Sequence, residues 1–204
     1  MENKKEKKIT TAWLVRVALL GAVASVLMFL EISLPFVPPF LKLDFSDIPA
    51  FLAGFALGPL AGVMVLLIKN VVHGFTASWS FFVGELANFL IGLSFVLPAS
   101  LIYARNKNRK SALVGMVVGG LVMTVFAALA NYFALIPLYA TVLGIPVEVI
   151  VGMSKEMNPA IVDLKTLVLI GIMPFNLFKA FVNTLIVMLI YKRLSPILHY
   201  QKRV

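Results

Sequence analysis

Cysteine is absent from all 204 residues and charge is scarce: 13% of the chain is Asp, Glu, Lys or Arg, and only nine residues are acidic. Without thiols there is no disulfide scaffold, no thiolate metal site and no cysteine nucleophile. A soluble domain is about a quarter charged and about half apolar; this chain is 61% apolar, which excludes an ordinary cytosolic enzyme and a disordered tail. Patterns that carry chemistry are missing too. There is no Gly-x-x-x-x-Gly-Lys-Ser/Thr loop to cradle ATP, no His-Glu-x-x-His or Gly-x-Ser-x-Gly arrangement, no arginine-rich voltage sensor and no TVGYG filter. No internal repeat supports an inverted-repeat transporter. What remains is a membrane protein of several spans, with mean hydropathy +0.99.

The net charge of +9 is unevenly placed. Three clusters (Lys4, Lys5, Lys7, Lys8 and Arg16; Arg105, Lys107, Arg109 and Lys110; Lys192, Arg193, Lys202 and Arg203) hold 13 of the 18 basic residues. Only Glu2 and Glu6 lie among them, and the rest of the chain has five basic residues against seven acids. Clusters that flank apolar runs are explained by the positive-inside rule rather than by nucleic acid, with a secondary role in holding anionic lipid.

Apolar runs predict helices over about 12–32, 46–58, 60–73, 81–104, 111–142 and 166–191, in one membrane domain covering 1–204. The basic N-terminal stretch invites a signal-peptide reading, but no small-residue cleavage site follows the first run, so it reads as a retained helix. Pro35, Pro38 and Pro39 make 34–47 a stiff non-helical loop. Gly58-Pro59 breaks the run 48–72. Counted as one crossing, that run gives five spans and separates the N-terminus from the other basic clusters. Counted as two, it gives six spans and puts all three clusters, and both termini, on the cytoplasmic face. The expected fold is therefore all-α with six transmembrane helices, two of them short, a loop around His73 to Ser80 and a polar segment at 144–165.

Polar residues within spans are costly and read as functional. Glu85, Asn88 and Gly92 share one helix face, and Asn176, Lys179 and Asn183 share another just after Pro174. With Asn131 they converge on a pocket open to the outside. The alternative is a structural ion pair between Glu85 and Lys179 with the asparagines as interhelical glue; the pattern divides about evenly between the two. Lys69 and His73, four apart, read as interfacial or pore-lining rather than as metal ligands, and no metal site is expected. Trp79, Phe81 and Phe82 read as an aromatic belt rather than a ligand lid. Ala18 and Ala22 form a small-xxx-small pair for close helix approach, within the bundle or to a partner.

The run Pro38-Pro39-Phe40-Leu41-Lys42-Leu43-Asp44-Phe45-Ser46-Asp47-Ile48-Pro49, then Gly54 to Gly62, Gly84-Glu85-Leu86-Ala87-Asn88 and Pro174-Phe175-Asn176-Leu177-Phe178-Lys179 resemble the riboflavin-specific S components of energy-coupling factor (ECF) transporters, over most of the chain. The resemblance implies an S-component-type bundle in the cell membrane. It implies high-affinity capture of riboflavin outside, and release driven by a transmembrane coupling protein and two ATPases, on which the substrate-binding unit topples. Riboflavin is then cargo, with no cofactor and no enzymatic step in this chain. The implied vitamin contacts are the backbone at Leu41, Lys42 and Leu43, and Glu85, Asn131, Asn176 and Lys179. Ala18 and Ala22 match the family's docking motif. An amide side chain offers both donor and acceptor to the polar edge of a flavin ring. The alternatives are an S component for another vitamin, a self-sufficient secondary transporter with Glu85 and Lys179 as an ion relay, and a structural subunit whose polar groups only specify assembly.

Overall fold

The computed structural model describes residues 9–199 apart from 36, 39 and 79, and the backbone alone over 192–199. Lys4, Lys5, Lys7, Lys8, Pro39, Trp79, Lys202 and Arg203 therefore lie outside the described residues, as do the side chains of Lys192 and Arg193.

Helix α1 spans Thr11–Met28, opened by Thr10, whose hydroxyl accepts the Trp13 N–H at 3.2 Å. A loop follows that closes on itself. Strand β1 (Ile32–Ser33) pairs antiparallel with β2 (Lys42–Leu43), Ile32 opposite Leu43 and Ser33 opposite Lys42. Helix α2 (Asp47–Leu57) and helix α3 (Pro59–Ala77) are separated by Gly58 at φ 106°, a left-handed backbone that favours glycine. Proline fits the first position of α3, where its missing N–H costs nothing. The break falls at the Gly58-Pro59 punctuation, but only α2 is short: at 11 residues it is about 16 Å long. Helix α3 continues through His73, which corrects the expected loop from His73 to Ser80, because no breaker interrupts it before Ser78.

Helix α4 is Val83–Arg105 and α5 is Arg109–Ala130. A π-turn at Asn131–Leu135 joins α5 to α6 (Ile136–Leu143). The segment expected to be merely polar contains an amphipathic helix, α7 (Val147–Met157). The short α8 (Leu164–Thr166), capped by Asp163, leads through a second π-turn, Leu167–Ile172, into α9 (Met173–His199). Each π-turn is followed two residues later by a proline, Pro137 and Pro174. Proline cannot donate to the carbonyl four residues back and its ring crowds that carbonyl, so the hydrogen-bond ladder widens there.

Among the described residues five helical stretches are long and apolar enough to cross a membrane: Thr11–Met28, Pro59–Ala77, Val83–Arg105, Arg109–Leu143 and Leu164–Tyr191. Their outward faces carry bare aliphatic and aromatic groups, among them Leu19, Val26, Leu121, Phe181 and Leu189, each more than half exposed. So large an apolar exterior suits lipid rather than water.

The core joins α1, α2, α3, α4, α5 and α9 through Val17, Phe51, Leu66, Phe95, Met116 and Val187. Phe51 meets the edge of Phe95 at 4.5 Å between ring centroids. Gly115 and Gly119 let α5 lie against α4: a Cβ at these positions would come within 2.7 Å of the Ala99 carbonyl and 2.6 Å of the Phe95 carbonyl. Such close approach is what small residues four apart permit. At one end of the bundle the Trp13 indole N–H donates to the Leu57 carbonyl at 3.4 Å, and the hydroxyls of Tyr103 and Tyr191 lie 3.2 Å apart. That end gathers the start of α1 with Arg16, the α2–α3 junction, the end of α4 with Arg105, and the later turns of α9.

Candidate functional site

At the opposite end the β1–β2 loop is tied into the helices rather than left as a flap. Lys42 forms an ion pair with Glu31 across the hairpin, both partly exposed. Val37 and Leu43 pack on Phe175 of α9. Asp44 accepts from the backbone N–H of Ser46 at 2.9 Å and from the Ser46 hydroxyl. The loop then runs directly into α2.

Beneath it lies a buried charge cluster. Lys69 of α3 donates to Asp47 at 2.6 Å and to the Ser46 hydroxyl at 2.5 Å. Lys179 of α9 donates to Asp44 at 3.0 Å and lies 3.4 Å from Asp47. All four ionic residues are at least 94% buried. Two carboxylates against two ammonium groups make the cluster neutral, which is how such burial is tolerated. Burial alone would raise the Asp44 carboxyl, but Lys179 and Lys69 overcome it and hold the group below its ordinary value.

This arrangement replaces two readings made from the sequence. Lys179 pairs with Asp44 and Asp47, not with Glu85. Lys69 is not interfacial but completely enclosed. Glu85, on the first turn of α4, is 2.8 Å from His73 of α3 and accepts from the Ser78 hydroxyl, also at 2.8 Å. The connection between those helices is tight. Phe81 and Phe82 have left-handed backbones at φ 48° and 68°, and Phe82 donates its N–H to Ser78 at 3.1 Å. Its ring occupies the space over Gly74 that a Cβ would fill, and it meets the edge of Phe75 at 5.1 Å. The compensation explains how two strained phenylalanines persist.

Two adjoining cavities open beneath the loop, sharing Phe40 and Tyr139 in their walls. The larger, about 330 Å³, is apolar and includes Ile136, Leu143, Ile150 and Met153, with Asn131 as a polar point. The smaller, about 90 Å³, is polar and includes Glu31, Lys42, His73, Ser80, Glu85 and Asn88. The Asn88 amide oxygen is buried without a hydrogen-bond partner. Asn131 and Asn176 each donate one amide N–H to the carbonyl four residues back, at 2.8 and 2.9 Å, beside the two π-turns. That bond fixes each carboxamide and leaves it further capacity to donate and accept.

Of the residues expected to form a site, Lys42, Glu85 and Asn131 meet at these cavities. Asn176 and Lys179 are buried on α9 alongside the loop, and Leu43 is buried in it. The Leu41 backbone N–H is already taken by the Pro38 carbonyl at 2.9 Å, so its carbonyl is what it can offer. Asp44, Asp47, Ser46, His73 and Tyr139 were not anticipated as part of the constellation; an Asp-x-Ser-Asp run before an apolar helix was the sequence signal for the first three. Phe81 and Phe82 are 75% and 42% exposed, consistent with membrane contact, while they also close the α3–α4 turn. Ala18 and Ala22 lie on the outward face of α1, whose inward face is Val17, Gly21, Ala24, Ser25 and Met28. They are therefore not packed within the bundle. Among the described residues no group of His, Asp and Glu is arranged to hold a metal ion.

A bundle of apolar helices that buries balanced charge beneath a tied-down loop, next to a two-part cavity, defines a membrane-embedded small-molecule carrier. The family described as "ECF transporter, substrate-specific component" matches residues 13–191, and this chain belongs to it. It is 39% identical to the riboflavin transporter RibU of Staphylococcus aureus (strain TCH60) over 185 residues, covering 91% of each chain. It is 36% identical to the riboflavin transporter FmnP of Bacillus subtilis (strain 168) over 195 residues, covering 93% of this chain and 95% of the other. A solved S component of a bacterial ECF transporter superposes with a TM-score of 0.74 at 37% identity, covering 92% of this chain and 98% of that one. The protein is thus a multi-pass transport subunit of the cell membrane, not an enzyme.

Proposed function

We propose that this chain captures riboflavin outside the cell and hands it to an ATP-driven module for release inside. The observation that carries this reading is the division of the cavity. Riboflavin joins a flat aromatic ring, polar along one edge, to a chain of hydroxyls. The apolar compartment with Asn131 on its wall suits the ring, and the polar compartment with Glu85 suits the hydroxyl chain. The riboflavin-transporter names of both relatives agree with it. The proposed contacts are the backbone of Leu41, Lys42 and Leu43, with Glu85, Asn131, Asn176 and Lys179. The last two approach from α9, where Lys179 donates to Asp44.

The reading includes six crossings, with α2 as the short one, and both termini in the cytoplasm. Arg16, Arg105 and Lys107 at one end of the bundle support it. Partners are a transmembrane coupling protein and two ATPase subunits; this chain has no ATP loop of its own. The outward-facing Ala18 and Ala22 on α1 are the proposed docking stripe.

Binding to purified protein, followed by quenching of flavin fluorescence, tests the assignment. Glu85→Gln, Asn131→Ala and Lys179→Ala are each expected to weaken binding. Affinity at the wild-type level in all three would remove the site, and failure of the wild-type protein to bind riboflavin would remove the substrate.

A further inference from the structure

Glu85 is gripped from two directions. Its Oε1 lies 2.8 Å from His73 Nδ1 on α3, and its Oε2 accepts from the Ser78 hydroxyl, also at 2.8 Å. An ionised carboxylate only accepts, so Nδ1 carries the hydrogen in this pair. The imidazole is itself held. It is buried, and the Phe29 ring at the end of α1 lies against it with 5.4 Å between ring centroids. Ser78 is fixed too, because its oxygen accepts the Phe82 N–H at 3.1 Å in the strained α3–α4 connection. A chain of contacts therefore runs from α1 through α3 to one carboxylate on the first turn of α4. Both His73 and Glu85 line the polar compartment of the cavity.

A tie between α3 and α4 needs only one bond. Here each carboxylate oxygen takes its own donor, which fixes the plane of the group as well as its place. An ionised carboxylate has about four acceptor positions. His73 and Ser78 fill one on each oxygen, and each oxygen keeps capacity for a further donor. Two acceptors side by side on a rigid group match two neighbouring hydroxyls of a polyol chain. We propose that His73 is a positioning residue for the vitamin's hydroxyl chain: with Ser78 it orients Glu85 so that one carboxylate takes two adjacent hydroxyls. This rests on the riboflavin reading and adds to it a residue that acts through Glu85 rather than by touching the vitamin. The flavin ring, in the apolar compartment, does not depend on it.

The test titrates the purified full chain with riboflavin and with lumiflavin, the same ring with a methyl group in place of the hydroxyl chain, by quenching of flavin fluorescence. His73→Leu should weaken riboflavin about tenfold, the worth of one hydrogen bond to a charged group, and leave lumiflavin within about twofold of wild type. His73→Asn, which sets an amide N–H where the Nδ1–H was, should restore most of the riboflavin affinity. Ser78→Ala, in the connecting turn rather than inside a helix, should show the same selective loss and decides the matter if His73→Leu does not fold. Added to Glu85→Gln, His73→Leu should weaken riboflavin by less than it does alone, since the two act through one contact. Equal losses for riboflavin and lumiflavin overturn the proposal and leave His73 as a tie between helices. Wild-type riboflavin affinity in both His73→Leu and Ser78→Ala overturns it as well. A wild-type protein that binds lumiflavin as tightly as riboflavin removes Glu85 as a contact of the hydroxyl chain, and the proposal with it. A wild-type protein that binds neither flavin removes the substrate reading itself.

Discussion

Replacing Lys179 by methionine keeps most of the side-chain volume and removes one of the two positive charges from the buried cluster. The Lys179 ammonium lies 3.0 Å from Asp44 and 3.4 Å from Asp47. At an effective dielectric constant of about 20, each contact is worth about 5 kcal/mol of gross attraction. The cost of burying the ammonium, several kcal/mol, offsets much of that. After the substitution two carboxylates share Lys69 alone, and one buried negative charge is left unmatched. Breaking a buried pair in this way costs about 3–5 kcal/mol. Asp44→Asn has the mirror effect, leaving one unmatched positive charge. The double variant Asp44→Asn, Lys179→Met restores neutrality and should recover about 2–3 kcal/mol relative to the sum of the singles. Reversible unfolding in mild detergent, with all four proteins in one double-mutant cycle, reads this directly. Additive losses, or a Lys179→Met protein as stable as wild type, would refute the claim that the cluster holds the loop to α9. Riboflavin titration of the same set separates roles: a double variant with recovered stability but weak binding marks the Asp44–Lys179 pair as part of the vitamin site as well.

Gly119→Val places a side chain 2.6 Å from a backbone carbonyl of α4; overpacking of this kind should cost about 1–3 kcal/mol, checked by loss of thermal stability relative to Gly152→Ala, where a Cβ meets nothing. Asn88→Ala removes a buried acceptor that has no hydrogen-bond partner within the protein. It should leave stability near wild type and weaken riboflavin binding about tenfold, the value of one good hydrogen bond, as measured by fluorescence quenching; unchanged affinity would take Asn88 out of the site. Ala18→Phe with Ala22→Phe should leave riboflavin binding intact and stop ATP-dependent uptake when the chain is reconstituted with its coupling module in liposomes. Wild-type uptake would show that α1 docks by another face.

The spans were legible because lipid-facing and core residues are alike apolar, so hydropathy finds them without knowing their rotation. The α2–α3 break was legible from Gly58-Pro59, a purely local instruction. What rotation decides was not legible. Glu85 and Lys179 each share a face with an asparagine, but periodicity fixes the face and not the helix opposite it. In the fold Glu85 faces His73, 12 residues away, and Lys179 faces Asp44, 135 residues away. The length of α3 was underestimated because His73 looked like a loop polar residue; its partner Glu85 is what lets an imidazole sit on a buried helical face. The Gly115 and Gly119 spacing, which makes the α4–α5 contact, went unread in the sequence, where only Ala18 and Ala22 were singled out as a small-residue pair. The strained Phe81 and Phe82 could not be read at all, since nothing local marks phenylalanine for a left-handed backbone.

The same contacts bear on capture and on release. The loop over the cavity is held at three places: Glu31 with Lys42 across the hairpin, Asp44 with Lys179 at its base, and Val37 and Leu43 on Phe175. The first pair is partly exposed and contributes little, about 0–1 kcal/mol. The second is buried, and opening it exposes two charges that had only each other and their neighbours as solvent. A wall fixed in advance suits tight capture, because little order remains to be lost when the vitamin binds. It also makes spontaneous escape through the loop slow, since the loop must give up its buried ion pair to lift. On the proposed reading, release therefore needs either a different path or work from outside the chain. On that same reading the work comes from the coupling module, and the outward-facing Ala18 and Ala22 of α1 are where the proposal has it delivered.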